Sequence, residues 1–107
     1  MSGLNSRLSV QGIQSKQMKF KDDPNTILIT TKRILSTEAE IVFVSHDEED
    51  GMWQFLDGFE NDENNAAIIS LQEITAIDHS IEDIADLSLG WIAWRKDRKS
   101  AWNRKKQ

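Results

Sequence analysis

The chain contains no cysteine. Disulfides, thiolate metal sites and cysteine nucleophiles are excluded together, and the absence accords with a cytoplasmic protein. Long apolar runs are missing too. No uninterrupted stretch exceeds four residues, as at 41–44 and 66–69, so no segment approaches the ~20 residues of a membrane-spanning helix. No charged-then-apolar leader opens the sequence, and no membrane partner is expected. The most informative gap is in charge. Residues 34–94 hold fifteen Asp or Glu and not one Lys or Arg. Basic residues are confined to the ends, six before residue 34 and seven after residue 94, so the net charge of −5 conceals an acidic centre between two cationic flanks. Two arrangements fit this layout. Either the flanks fold back and neutralise the centre, or an acidic face stays free for a basic protein partner, whose encounter its field would speed.

What is present belongs to a single globular domain: 107 residues, 38% hydrophobic and 29% charged. Residues 1–25 show no period and read as a partly ordered N-terminal segment with Met18 and Phe20 as anchors, closed by the turn-like Lys21-Asp22-Asp23-Pro24-Asn25. Residues 26–107 form the domain. β-Branched density predicts strands at 26–31, 40–46, 66–70 and 91–96, with a returning strand at 52–56. Ser70-Leu71-Gln72-Glu73 is a capping box opening a helix to about Ile77. A second short helix starts at Ser80, carries Ile81, Ile84, Ala85 and Leu87 as its stripe, and ends at Gly90. A last short segment surrounds Trp102. Strands followed by helices and a closing strand predict an α+β fold, a small antiparallel sheet with a central hairpin and two short helices.

The stretch EEDGMWQFLDG, residues 48–58, is the candidate for chemistry. Setting Gly51 at the sixth position of an EF-hand puts His46 first, where calcium needs an oxygen ligand, and the loop fails as a calcium site. A looser divalent-cation site on Asp47, Glu49 and Asp50 is the metal alternative. Ser45-His46-Asp47 has the residue types of a catalytic triad, but strand neighbours point to opposite faces. No nucleophile elbow, phosphate loop or zinc-helix motif occurs. Enzyme activity therefore lacks support. Asp50-Gly51 instead signals a hairpin turn, with Trp53 and Phe55 together on the core face of the returning strand.

Trp91, Trp94 and Trp102 are interleaved with Arg95, Lys96, Arg98, Lys99 and Arg104. Stacking of Arg on Trp inside the fold explains this pattern. Nucleic acid is not expected, because the acidic centre repels phosphates. A small-ligand pocket lined by His46, Trp53 and Trp94 beside the carboxylates is the competing binding mode. His79 reads as an exposed linker residue. A homodimer through exposed aromatics stays open.

Three clusters carry a resemblance. They are His46-Asp47-x-x-Asp50-Gly51-x-Trp53-Gln54-Phe55-Leu56-x-Gly58, Ser70-Leu71-x-Glu73-Ile74 and Gly90-Trp91-x-Ala93-Trp94-Arg95. Over residues 26–104 the chain resembles a family of small uncharacterised bacterial proteins. The Asp-Gly-x-Trp-Gln-Phe-x-x-Gly portion is similar to bacterial polymorphic-toxin immunity proteins, departing from them by Met52 between Gly and Trp and by His46 where a basic residue often stands. Neither resemblance carries catalytic residues or a cofactor. What they imply is a non-enzymatic cytoplasmic interaction protein. Its acidic face would comprise Asp47, Glu48, Glu49, Asp50, Glu60, Asp62 and Glu63, set against a basic patch on a partner.

Overall fold

A computed structural model describes residues 18–59 and 63–107. The expected N-terminal segment lies largely outside these, as do Glu60 and Asp62. Six strands form one sheet: β1 (Ile27–Thr31), β2 (Phe43–His46), β3 (Trp53–Leu56), β4 (Ala66–Ser70), β5 (Trp91–Trp94) and β6 (Asn103–Lys106). Their order is β4-β1-β3-β2-β5-β6. The α+β class holds, but the sheet is larger than expected and is not purely antiparallel. β1 runs parallel to β3, with Ile29 opposite Gln54, while every other neighbouring pair is antiparallel. The hairpin β2–β3 fills the middle of the sheet, as the Asp50-Gly51 turn signal implied. Local turn chemistry could not reveal the parallel pair, because β1 reaches β3 only after the chain has passed through β2.

Two helices were expected, and the helical segments differ in type. Thr31 caps a single turn, α1 (Lys32–Leu35), through its hydroxyl, which accepts from the Ile34 N–H. α2 (Leu71–Ile77) opens on the full capping box: the Ser70 hydroxyl accepts from the Glu73 N–H, and the Glu73 carboxylate from the Ser70 N–H. The segment expected from Ser80 is a 3-10 helix, His79–Ile84, and its cap is Asp78. It ends well before Gly90, which instead lies in the turn entering β5 with φ +82°.

α2 and the 3-10 helix cover one sheet face. Beneath them lie Leu28, Val44, Trp53, Phe55, Leu71, Ile74, Ile81, Ile84 and Ala93, closed by Phe20 and flanked by Met18. Phe20 meets Trp53 edge-on at 5.2 Å between ring centroids. The Trp53 indole N–H is buried without a hydrogen-bond partner, and nothing in the packing accounts for it. Trp91 packs against this core, whereas Trp94 faces the other side of the sheet and is exposed. Among the described residues no helix covers that second face. It carries Ile29, Leu56 and Phe43 half-buried, and Ile27 and Ile68 at 55% and 65% exposure.

Two buried carboxylates tie the layers. Asp57 accepts from Arg33 Nε at 2.8 Å and from the Thr31 hydroxyl at 2.9 Å. Asp78 accepts from Arg95 Nη2 at 2.8 Å and from the Ser80 hydroxyl and N–H. Arg95 also donates from Nε to the Ile41 carbonyl and from Nη1 to Ser80, and its guanidinium lies 4.1 Å over the Trp102 ring. Here a residue from the cationic flank is part of the interior, the aromatic stacking expected from the sequence.

Burial works against ionisation of Asp78, but the hydrogen bonds from Ser80 and Arg95 outweigh it and hold its pKa below the ordinary value. Asp57 is lowered in the same way, burial being overcome by Arg33, the Phe59 N–H and Thr31. A carboxylate with a depressed folded pKa stabilises the fold above the unfolded value, about 3.9, and that contribution disappears as pH falls through the folded pKa. Urea midpoints are therefore expected to drop steeply as pH falls below ~4. Asp78→Asn is expected to cost about 3–5 kcal/mol at pH 7, because it leaves Arg95 charged and buried. It should also flatten the acid limb, and an unchanged limb would assign that slope to other groups.

Candidate functional site

The β2–β3 connection is built by its own side chains. The Asp47 N–H donates to the Met52 carbonyl and the Gly51 N–H to the Asp47 carbonyl, both at 2.8 Å. Gly51 takes φ +73°, a left-handed conformation that glycine adopts without a Cβ clash. Asp50 Oδ1 accepts from the Met52 N–H, closing an Asx turn. Gln54 Nε2 reaches forward from β3 to Asp47 Oδ2 at 2.7 Å and fixes the start of the loop. Glu48, Glu49 and Asp50 are left exposed at the tip.

A concave surface of about 400 Å³ is lined by Asp47, Glu48, Glu49, Asp50, Gly90 and Gln107. Gly90 donates from its N–H to the His46 carbonyl at 2.7 Å and accepts at its own carbonyl from the Gln107 N–H at 2.8 Å. The loop thus rests against the entrance of β5 and the end of β6. Among the described residues, ion pairs engage Asp57, Asp78 and Asp86, the last with Arg104 at 2.8 Å. None engages Asp47, Glu48, Glu49, Asp50 or Glu63. The described arginines of the cationic flanks neutralise other carboxylates and make no ion pair with this loop.

The expected acidic face is not continuous. Glu63 opens a short 3-10 turn, Glu63–Asn65, just before β4. That is the end of the sheet where β3 finishes, so the length of β3, ~13 Å at the usual strand rise, separates Glu63 from the loop. Glu63 borders a groove of about 260 Å³ on the uncovered sheet face, with Ile29, Gln54, Leu56, Asn65 and Ala66.

The expected ligand pocket is not assembled. His46 stacks on Trp53 at 3.8 Å with the rings 13° from parallel, and donates from Nδ1 to the Leu87 carbonyl at 2.7 Å. Trp53 is buried, and Trp94 lies on the other sheet face under Lys105. Ser45 likewise faces away from His46, which separates the triad residue types. Among the described residues no group of three or more His, Asp or Glu is placed to hold a metal ion. No helix among them is long and apolar enough to cross a membrane.

Three contributors to the loop's position escaped the sequence reading: Gln54, Gly90 and Gln107. Gln54 carried a signal, because an amide between Trp53 and Phe55 must face away from the core, toward whatever polar group precedes the strand. Gly90 carried a misleading one, because a glycine after a helical pattern reads as its C-terminal cap. It stands five residues beyond the Ala85 cap of the 3-10 helix, too far to end that helix.

A Cβ at Gly90 would stand 3.0 Å from Glu48 Oε1. Gly90→Ala is therefore expected to displace the Glu48 carboxylate, and to cost about 1–2 kcal/mol through the left-handed backbone. Urea denaturation reads the cost. Adding Glu48→Ala should recover only a minor part of it, and full recovery would show that side-chain crowding, not backbone strain, dominates.

No curated protein and no solved structure matches the chain. The immunity protein Imm33 domain matches residues 28–106, spanning β1 to the end of β6 and the whole acidic loop. With nearly the entire described sheet inside that match, the chain belongs to the Imm33 immunity-protein domain family.

Proposed function

We propose that this protein is a cytoplasmic bacterial immunity protein that binds a toxin domain and blocks it by occupation, with no bond-making chemistry of its own. The partner surface is basic, and the loop carrying Asp47, Glu48, Glu49 and Asp50 meets it. One observation carries this reading. Among the described residues, Arg33, Arg95, Arg98 and Arg104 pair with Asp57, Asp78 and Asp86, and the hairpin tip keeps its carboxylates free of ion pairs.

The family membership supports a protein partner, and the physics supports its charge. Clustered like charges left unneutralised cost the free protein some repulsion, which a cationic surface relieves on binding. They also accelerate encounter in a way that salt screens. Neutralising a toxin asks only for complementarity and a slow off-rate, both of which a rigidly held loop supplies. The Gln54–Asp47 hydrogen bond and the Gly90 contacts provide that rigidity. Glu63, beyond the far end of β3, is assigned a second, separate contact.

The test is co-expression with the products of the neighbouring genes, to identify the toxin domain whose action this chain blocks. The triple variant Glu48→Lys, Glu49→Lys, Asp50→Lys is expected to lose protection and to weaken toxin capture at least ~100-fold, in the range measured for interfacial charge pairs. Its urea midpoint should fall only slightly, by the loss of the exposed Asx-turn hydrogen bond from the Met52 N–H to Asp50, and the fold should stay intact by circular dichroism. Glu63→Lys should cost less. Full protection by the triple variant would refute the loop as the recognition element.

A further inference from the structure

A sheet has two edges, and the two here are treated differently. β6 is Asn103-Arg104-Lys105-Lys106, fully exposed and cationic along its length. Such an edge repels a second copy of itself, the usual protection against strand-to-strand association. β4, at the other end of the strand order, is Ala66-Ala67-Ile68-Ile69-Ser70. It carries no charge, no proline and no glycine, and with β1 it is the longest strand. Among the described residues no chain pairs with its outer side. Among these residues it therefore presents unpaired backbone donors and acceptors on an uncharged, largely apolar segment, with none of the devices that protect β6.

We propose that β4 pairs with β4 of a second copy of this chain, antiparallel about a two-fold axis at Ile68, and joins the two sheets into one. The occupant follows from what the strand carries. Antiparallel self-pairing about Ile68 sets Ala66 opposite Ser70 and Ala67 opposite Ile69 of the second copy, small or apolar throughout and without a like-charge contact. The two Ile68 side chains come face to face, as directly opposed cross-strand neighbours. Ile68, 65% exposed in the single chain, is the largest liability on this edge, and Ile27 beside it is 55% exposed. Both lie on the face that no helix among the described residues covers, so pairing extends one apolar strip across the axis.

The arrangement leaves the acidic loops free. In each chain the loop lies at the end of the sheet where β4 finishes, since Ser70 pairs with Ile27 and β1 runs parallel to β3. The two-fold axis sends the loops to opposite ends of the joined sheet. Their like charges are kept apart, and each stays accessible. The inference stands apart from the immunity reading, because it uses neither the loop nor a toxin.

The absence of cysteine makes the test direct. Opposed residues of an antiparallel pair have Cα atoms ~4.5–5.5 Å apart, within the span of a disulfide. Across the same axis, the two copies of residue 27 are three strand spacings apart laterally and four residues apart along the strands, ~20 Å in all, since Ile27 pairs with Ser70. Ile68→Cys is expected to cross-link with its copy at least about tenfold faster than the similarly exposed Ile27→Cys under the same mild oxidant. Sedimentation of the unaltered chain should give twice the monomer mass, and Ile68→Lys should give the monomer with its fold intact by circular dichroism. Equal cross-linking rates overturn the proposal. So does a monomeric unaltered chain, including one whose Ile68→Lys variant loses toxin capture, which would assign β4 to a strand of the partner.

Discussion

A guanidinium withdrawn from water is the constraint around which this fold is arranged. Arg95 reaches Asp78 and Ser80 at the start of the 3-10 helix, the Ile41 carbonyl ahead of β2, and the Trp102 ring ahead of β6. Helical cover, sheet and C-terminal strand converge on one side chain. Burying a charge is tolerable only when its counter-charge is buried with it and its donors find acceptors, and here Nε, Nη1 and Nη2 each have a partner. The interior pair fixes where the last thirteen residues go, and therefore where the sheet ends. By holding β5 and β6 in place it also supports Gly90 and Gln107, on which the acidic loop leans.

The same pairing explains how a chain with segregated charge avoids self-neutralisation. Cationic residues at both ends could have folded over the acidic centre. Arg33 and Arg95 are instead drawn inward to Asp57 and Asp78, while Arg104 is held at the surface by Asp86. Of the two arrangements open to the sequence, the structure shows the first in part. The flanks neutralise selected carboxylates, and those at the hairpin tip stay unpaired. Segregation in sequence becomes selective pairing in space, leaving a local excess of one sign.

Much of this could be read from the residues. The central hairpin was legible because Asp50-Gly51 and the alternation through Trp53 and Phe55 are local signals, as was the capping box at Ser70 and Glu73. The parallel β1–β3 pair was not, because nothing within either strand encodes a neighbour reached by a crossover. The buried role of Arg95 was hidden by its company: a basic residue in a run of basic residues reads as solvated. Asp78 and Ser80, spaced as a side chain and the N–H it caps, held the missing clue. The acidic residues were legible as a count and illegible as a surface. Sequence proximity joined Glu63 to the loop, and the sheet places them at opposite ends of β3.

The bond from the Gln107 N–H to the Gly90 carbonyl sets the direction in which any continuation of the polypeptide departs. Gln107 lines the acidic concavity together with Glu48 and Asp50. Whatever is fused after it, an affinity tag or a reporter, leaves from the rim of that concavity. A polyhistidine or lysine-rich extension would be a tethered competitor at high local concentration, masking the surface it was added to study.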